Sequence, residues 1–282
     1  MNIQWYPGHM TKTRRMIEAD LKTVDAVVEL LDARAPKSSQ NPLIDKLTAN
    51  KKRLVLLNKC DLASPEGNRA WAAYFEGLGR KVLLINAATG QGVGRIAPAL
   101  AELLSEKLAR DKARGMNKAQ RAMVLGIPNV GKSSLINRLA GASKAAVADR
   151  PGVTRGKQWI RLGAVDLLDT PGILWPKFED ETVALHLAYT GAIKDDVYDV
   201  EEVACRLLKE LPPEVIASRY SLSDFDRPGH ELLTELGRSR GFLMAGGAID
   251  TERAARILLD EFRAGKLGAV TLEWPDDQND TV

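Results

Sequence analysis

The chain is poor in the residues that build metal centres and disulfide frameworks. Its 282 residues hold two cysteines and three histidines, and Cys60 and Cys205 stand far apart with no histidine cluster beside them. This argues against a disulfide scaffold and a zinc-finger spacing, and it fits a reducing compartment. No apolar run approaches the ~20 residues of a membrane-spanning helix, and the N-terminus lacks the apolar stretch of a signal peptide. A soluble protein in the cytoplasm is expected. Net charge is small as well, +3, with 27% charged and 45% hydrophobic residues, the balance of an ordinary globular chain.

The small net charge conceals an asymmetry. Residues 1–177 carry 29 Lys+Arg against 15 Asp+Glu, whereas residues 178–282 carry 11 against 22. A basic first portion suits a polyanion, and nucleic acid is the commonest one, although a nucleotide-binding domain also needs positive charge for its own ligand. The candidate phosphate contacts are Lys12, Arg14, Arg15, residues 51–53 and the basic run from Lys107 to Arg121. In the acidic portion, Arg219, Arg238, Arg240, Arg253 and Arg256 are candidates for a local basic face.

Apolar runs at 24–31, 54–57, 81–85 and 121–125 alternate with helical patterns, which predicts an α/β fold with a parallel sheet covered on both faces. Pro36 marks a loop after the first run, and residues 97–111 read as one helix ending in a basic connector. Two closely spaced strands, 157–162 and 164–168, predict a hairpin. Beyond residue 176 the pattern turns helical, over 183–190, 200–211, 232–238 and 251–264, with Pro212-Pro213 and Pro228-Gly229 as punctuation. Residues 178–282 are therefore expected to form a smaller, mostly helical second domain. Residues 271–274 read as a short extended segment and 275–282 as an acidic tail.

After the fourth run comes Gly126-Ile127-Pro128-Asn129-Val130-Gly131-Lys132-Ser133, the G-x-x-x-x-G-K-[ST] phosphate loop between a strand and a helix. Its glycines turn backbone N–H groups of Asn129, Val130, Gly131 and the following Ser134 towards phosphate, and the helix N-terminus adds its own donors. Lys132 supplies a cation for the β- and γ-phosphates and Ser133 a hydroxyl for Mg²⁺. Asp169-Thr170-Pro171-Gly172 lies 37 residues after Lys132, with the hairpin between. Asp169 suits Mg²⁺ through its water shell, and Gly172 a backbone N–H for the γ-phosphate. Thr154 lies in the intervening loop; it reads as the switch threonine that completes the Mg²⁺ coordination, or else as a solvated loop residue.

A phosphate loop does not choose its base. Asn58-Lys59-Cys60-Asp61, at the end of the second strand, supplies that choice: Asp61 accepts from guanine N1 and the 2-amino group, Asn58 serves the O6 and N7 side and braces the loop, and Lys59 packs over the base. One strand later, Asn86-Ala87-Ala88 offers backbone N–H groups to guanine O6. These elements come before the phosphate loop, the reverse of the usual order. Neither half makes a site alone, so one Rossmann-like sheet assembled from both halves is expected, a circularly permuted P-loop GTPase fold. The sheet then ends at Asp169–Gly172, and the chain runs directly into the helical domain.

With Trp5-Tyr6-Pro7-Gly8-His9-Met10 and Asp32-Ala33-Arg34 added, these motifs in this order resemble the ribosome biogenesis GTPase A family of circularly permuted GTPases, over nearly the whole chain. The resemblance implies a GTPase that converts GTP to GDP with Mg²⁺ during late assembly of the large ribosomal subunit. Its partners would be the subunit precursor, rRNA and ribosomal proteins, with no membrane or DNA partner. It also implies a role for His9. Ile173 and Leu174 follow Gly172 where many GTPases carry a glutamine, and the family view brings in His9 to orient water; a packed or exposed histidine is the lesser alternative. Asn129 matches relatives that hold K⁺ beside the phosphates. Asn86 departs from the serine usual at its position. The other function class these residues allow is a GTP-regulated RNA-binding module whose hydrolysis only resets binding.

Overall fold

Seven consecutive buried residues, Ala26–Asp32, form the first strand, β1, and set the architecture. A strand with both faces buried belongs inside a parallel sheet that is covered on both sides. The computed structural model of the chain describes residues 9–116, 118–146, 159–175 and 180–275. In it β1 lies between β2 (Lys52–Asn58) and β4 (Gln120–Leu125), with β3 (Lys81–Ile85) beyond β2. On the other side β6 (Val165–Leu168) pairs with β4, and β5 (Trp159–Leu162) closes the edge. All pairings are parallel except the β5–β6 hairpin. The order β3-β2-β1-β4-β6-β5 places the two sequence halves in one sheet, joined along the β1–β4 seam. The circularly permuted P-loop fold expected from the motif order is the fold found.

Side chains alternate between the two faces as strand geometry requires. Leu54 and Leu56 of β2 enter the larger core, with Ile17 and Leu21 of α1 (His9–Leu21). Val55 and Leu57 face the other way, onto Trp71 and Phe75 of α4 (Pro65–Gly77). Two short helices follow β1, α2 (Pro36–Ser39) and α3 (Pro42–Leu47), where the sequence suggested only a loop. Pro36, read as a loop marker, sits in the first turn of α2, as Pro42 and Pro65 do in α3 and α4, where the missing N–H costs nothing.

The helix expected over 97–111 is two helices, α5 (Ile96–Leu103) and α6 (Ser105–Ala113). Ile96, Ala99 and Leu100 pack α5 onto the sheet, while no residue of α6 is buried. With no apolar stripe to follow, the chain turns at buried Leu104 and carries Arg110, Lys112, Arg114 and Lys118 out to solvent. Then α7 (Lys132–Ala146) follows the phosphate loop.

The helical part comprises α8 (Glu181–Tyr189), α9 (Val200–Glu210), α10 (Pro213–Tyr220), α11 (Gly229–Ser239) and α12 (Thr251–Arg263). The helix α10 was not expected, again because Pro213 opens it. Apolar residues at helical spacing on α9, Val200, Val203, Ala204, Leu207 and Leu208, meet Leu232, Leu236, Leu258 and Phe262 in a second core. Helix α8 serves both cores: Leu187 belongs to the first, and Leu185, Ala188 and Tyr189 to the second. The residues 271–274 are extended but join no strand.

His186 of α8, which carried no sequence motif, is a buried junction between the two parts. Its Nε2 lies 2.6 Å from Glu210 and its Nδ1 3.1 Å from Glu273 and 3.0 Å from Ser38 Oγ. Burial opposes protonation, but the hydrogen bonds and charges of the two carboxylates prevail and raise its pKa to about 9. Charges elsewhere in the helical part are also spent internally. Glu261 pairs with Arg219 and Arg240, and Glu252 with Arg256, so these three arginines are not the free basic face considered above. Arg53 is removed from the surface candidates as well, being buried against Glu29 and Asp45.

Leu258→Ala empties a fully buried position at the centre of the second core. It should lower unfolding free energy by about 2–5 kcal/mol in urea titrations, with protection lost first in α9 and α12.

Candidate nucleotide site

Strands β2, β3, β4 and β6 all deliver their C-terminal ends to one edge of the sheet, the edge at which parallel α/β proteins bind ligands. Asn58 ends β2, residues 86–88 follow β3, residues 126–133 follow β4, and residues 169–172 follow β6. The four loops are tied by hydrogen bonds within the protein. Asn58 is 2% exposed; its Nδ2 donates to Val130 O at 2.8 Å, and its Oδ1 accepts from Ala87 N at 2.9 Å. One side chain thus fixes the phosphate loop against both base loops.

The phosphate loop has the backbone its sequence requires. Asn129 and Gly131 have φ of 56° and 103°. A Cβ on Gly131 would stand 2.2 Å from Asn58 Nδ2, so the glycine is needed for close approach as well as for conformation. Lys132 folds over the loop, with Nζ donating to Gly126 O and Ile127 O at 3.0 and 2.6 Å. Burial lowers its pKa to about 8, partly offset by the charge of Asp169. Burial also raises the pKa of Asp169, against the Thr170 amide and the Lys132 charge. Gly172 reaches the same place: a Cβ there would lie 2.9 Å from Lys132 Nζ. Ile173 N–H donates to Gly126 O, Ile173 O accepts from Asn41 Nδ2 at 2.9 Å, and its side chain is 2% exposed. The position after D-x-x-G is therefore a core residue that turns away from the site.

The base loops show one refinement. Asn86 Oδ1 accepts from the Ala88 and Thr89 amides, and the Ala87 amide goes to Asn58. Asn86 thus braces its own turn, and the amides of Ala87 and Ala88 have partners inside the protein. Arg138 of α7 adds a clamp, donating to the carbonyls of Ala87 and Ala88. An open cleft beside them is lined by Ser134, Asn137 and Arg138. Asp61 stands exposed at the rim. Ser133 and Ser134 are exposed on the first turn of α7. Thr154 lies outside the described residues, as does the side chain of His9, whose backbone opens α1.

Asp32 and Arg34 entered the sequence reading only as part of a motif, and the structure gives them a place. Asp32 is paired in register with Asn58 and accepts from Lys59 at 2.9 Å and from Arg34 at 2.9 and 2.8 Å. Burial alone would raise its pKa, but the two cations hold it well below the usual carboxylate range. Lys59 Nζ also donates to Asn129 O at 3.1 Å, and Asn129 Nδ2 to Gly191 O at 2.7 Å. Arg34 donates to Phe262 O and stacks on the Phe262 ring at 5.1 Å. The signal available in sequence was an arginine two residues after an aspartate at the end of an apolar run; the burial of the pair and its long-range partners were not visible there.

The family described as 50S ribosome-binding GTPase matches residues 121–209. Ribosome biogenesis GTPase A of Bacillus cereus is 47% identical over 287 residues, covering 100% of this chain and 97% of its own. The chain belongs to the ribosome biogenesis GTPase A family. It is a P-loop GTPase and an enzyme that hydrolyses GTP. Two solved structures agree in fold: the GDP-bound TM YlqF, with a TM-score of 0.68 at 29% identity over 93% of this chain and 100% of that one, and GNP-bound YlqF from T. maritima, with 0.67 at 30% over 94% and 99%.

Asn58→Ala removes both ties between loops. At about 1 kcal/mol each, GDP affinity should fall about thirtyfold in fluorescent-nucleotide titrations. Bound phosphate should raise the pKa of Lys132 above its free value of about 8. Below pH 7 the amine is charged with or without ligand; at pH 8 binding should take up about half a proton, read by calorimetry in buffers of different ionisation enthalpy.

Proposed function

We propose that this GTPase acts in late assembly of the large ribosomal subunit, with GTP hydrolysis stimulated by the precursor particle. The observation that carries the reading is similarity along its whole length to ribosome biogenesis GTPase A, both the nucleotide-binding and the helical parts. The division of labour assigns nucleotide chemistry and much of the rRNA phosphate contact to residues 1–177, and shape recognition or protein contact on the particle to 178–282. The exposed basic group Arg110, Lys112, Arg114 and Lys118 gives the first part a surface for rRNA phosphate.

Within the site, Asp61 reads guanine and the amides of residues 129–134 hold the phosphates. The Ser133 hydroxyl and Asp169 carboxylate are hard oxygen donors on adjoining loops, a set that fits Mg²⁺, with Thr154 completing it. A bound Mg²⁺ supplies positive charge against the phosphates, and Lys132 adds its own. Asn129 keeps Oδ1 for K⁺ while its Nδ2 is held by Gly191 O. Ile173 and Leu174, which follow Gly172, are buried in the core and offer nothing to the attacking water. His9, at the start of α1, fills that role on the particle.

The test is GTP turnover with and without purified large subunits. Stimulation is expected in K⁺ and weaker in Na⁺, and His9→Ala should reduce the stimulated rate about 10²-fold while sparing GDP affinity. Equal turnover with and without particles would leave the RNA-binding module, with hydrolysis only as a reset, as the better reading.

A further inference from the structure

After α12 the chain does not leave the molecule but returns across the base-reading loop. Residues 265–273 lie over β1 and β2 at their C-terminal ends. Val270 N–H donates to Leu62 O at 2.8 Å, one residue beyond Asp61. Thr271 Oγ1 accepts from Ser64 N at 3.1 Å and shares a 2.9 Å hydrogen bond with Ser64 Oγ. Leu272 N–H donates to Arg34 O at 2.8 Å, and Trp71 Nε1 donates to Glu273 O at 2.8 Å. The Glu273 carboxylate accepts from Ser38 N at 2.8 Å and from Ser38 Oγ at 2.6 Å. The same segment is anchored in the helical core by Leu267 and Val270, which are 6% and 5% exposed.

We propose that residues 265–273 form a strap that positions the guanine-reading loop, so that the dwell time of a guanine nucleotide depends on how the helical domain is seated. The inference rests on the reading of Asp61 as the guanine acceptor. Asp61 itself is exposed, so its carboxylate is aimed by the backbone on either side of it. On one side Lys59 is fixed by Asp32 and Asn129 O. On the other, Leu62 and Ser64 are fixed by Val270 and Thr271, and the strap's own position is fixed by the packing of α12. A partner that lifts residues 265–273 would withdraw these hydrogen bonds and loosen Asp61, whereas the other contact of the helical part, Gly191 O with Asn129 Nδ2, lies on the phosphate loop. By linkage, bound guanine nucleotide would hold the strap down by the same factor. Trp71 and Thr271 are thus positioning residues for base recognition.

Thr271→Val keeps side-chain shape and removes the hydroxyl, and Trp71→Phe keeps a ring on Phe75 and Tyr74 and removes the donor. The measurement is release of fluorescent GDP and IDP, the second lacking the 2-amino group that Asp61 accepts. In the double variant GDP release should quicken about tenfold and IDP release by less, while Thr271→Ser alone, which keeps the hydroxyl, should release GDP at the wild-type rate. Hydrogen exchange should also show residues 268–273 better protected with GDP than without in the wild type, and less so in the double variant. Unchanged GDP release, or equal acceleration of GDP and IDP, would overturn the strap's role. If the wild type released GDP and IDP at one rate, the reading of Asp61 would fail and the inference with it.

Discussion

The two hydrogen bonds of Asn58 are the constraint on which the site depends. Its amide joins Val130, 72 residues downstream, to Ala87, 29 residues downstream, and it does so in a position that is 2% exposed. Out of water, an amide with either bond missing would carry the cost of a buried unsatisfied polar group. Phosphate loop and base loops are consequently held at one spacing, that of a nucleotide. Gly131 follows from this, since any side chain there would meet the Asn58 amide.

The same constraint explains why a permuted chain makes an ordinary site. What the ligand meets is the set of loops at the C-terminal ends of parallel strands, and their geometry depends on strand order in space. The β1–β4 seam joins residues 26–29 to 122–125, so the cut and the closure fall away from the loops that bind. The permutation does change what comes next. After β6 the chain enters α8, and Gly191, just past the end of that helix, meets Asn129 of the phosphate loop; after α12 the chain returns to the base loop. Helical domain and nucleotide site are therefore in contact at two places, with Asp32 and Arg34 between them.

Charge illustrates how far composition carries. The excess of basic residues in the first part is real, yet Arg53 is buried and Lys107 is bound to Asp25. In the acidic part, Glu261 gathers Arg219, Arg240 and the Tyr220 hydroxyl into one internal group that drops its pKa to about 2, chiefly through the Arg219 hydrogen bonds. What stays exposed is the connector on α6 and behind it, where only Leu108 of the helix packs against the core.

The sequence by itself determined the motifs, their order and the parallel strands that carry them, because Asn58–Asp61, 126–133 and 169–172 are local patterns and each parallel β-run is a short, mainly apolar segment. It also determined the helical character of the second part, through the spacing of residues such as Val203, Leu207, Leu232 and Leu236. It misjudged Pro36 and Pro213, since a proline that stops one element and one that opens the next look alike without the backbone. Only the tertiary structure decided that Asn86 braces its own turn, that Ile173 is a core residue, that His186 joins two carboxylates from distant segments, and that 265–273 lies on the base loop. The Asn86 turn is local, with partners two and three residues on, but the others rest on partners tens to hundreds of residues away, and such pairings are fixed by the packing of the two cores.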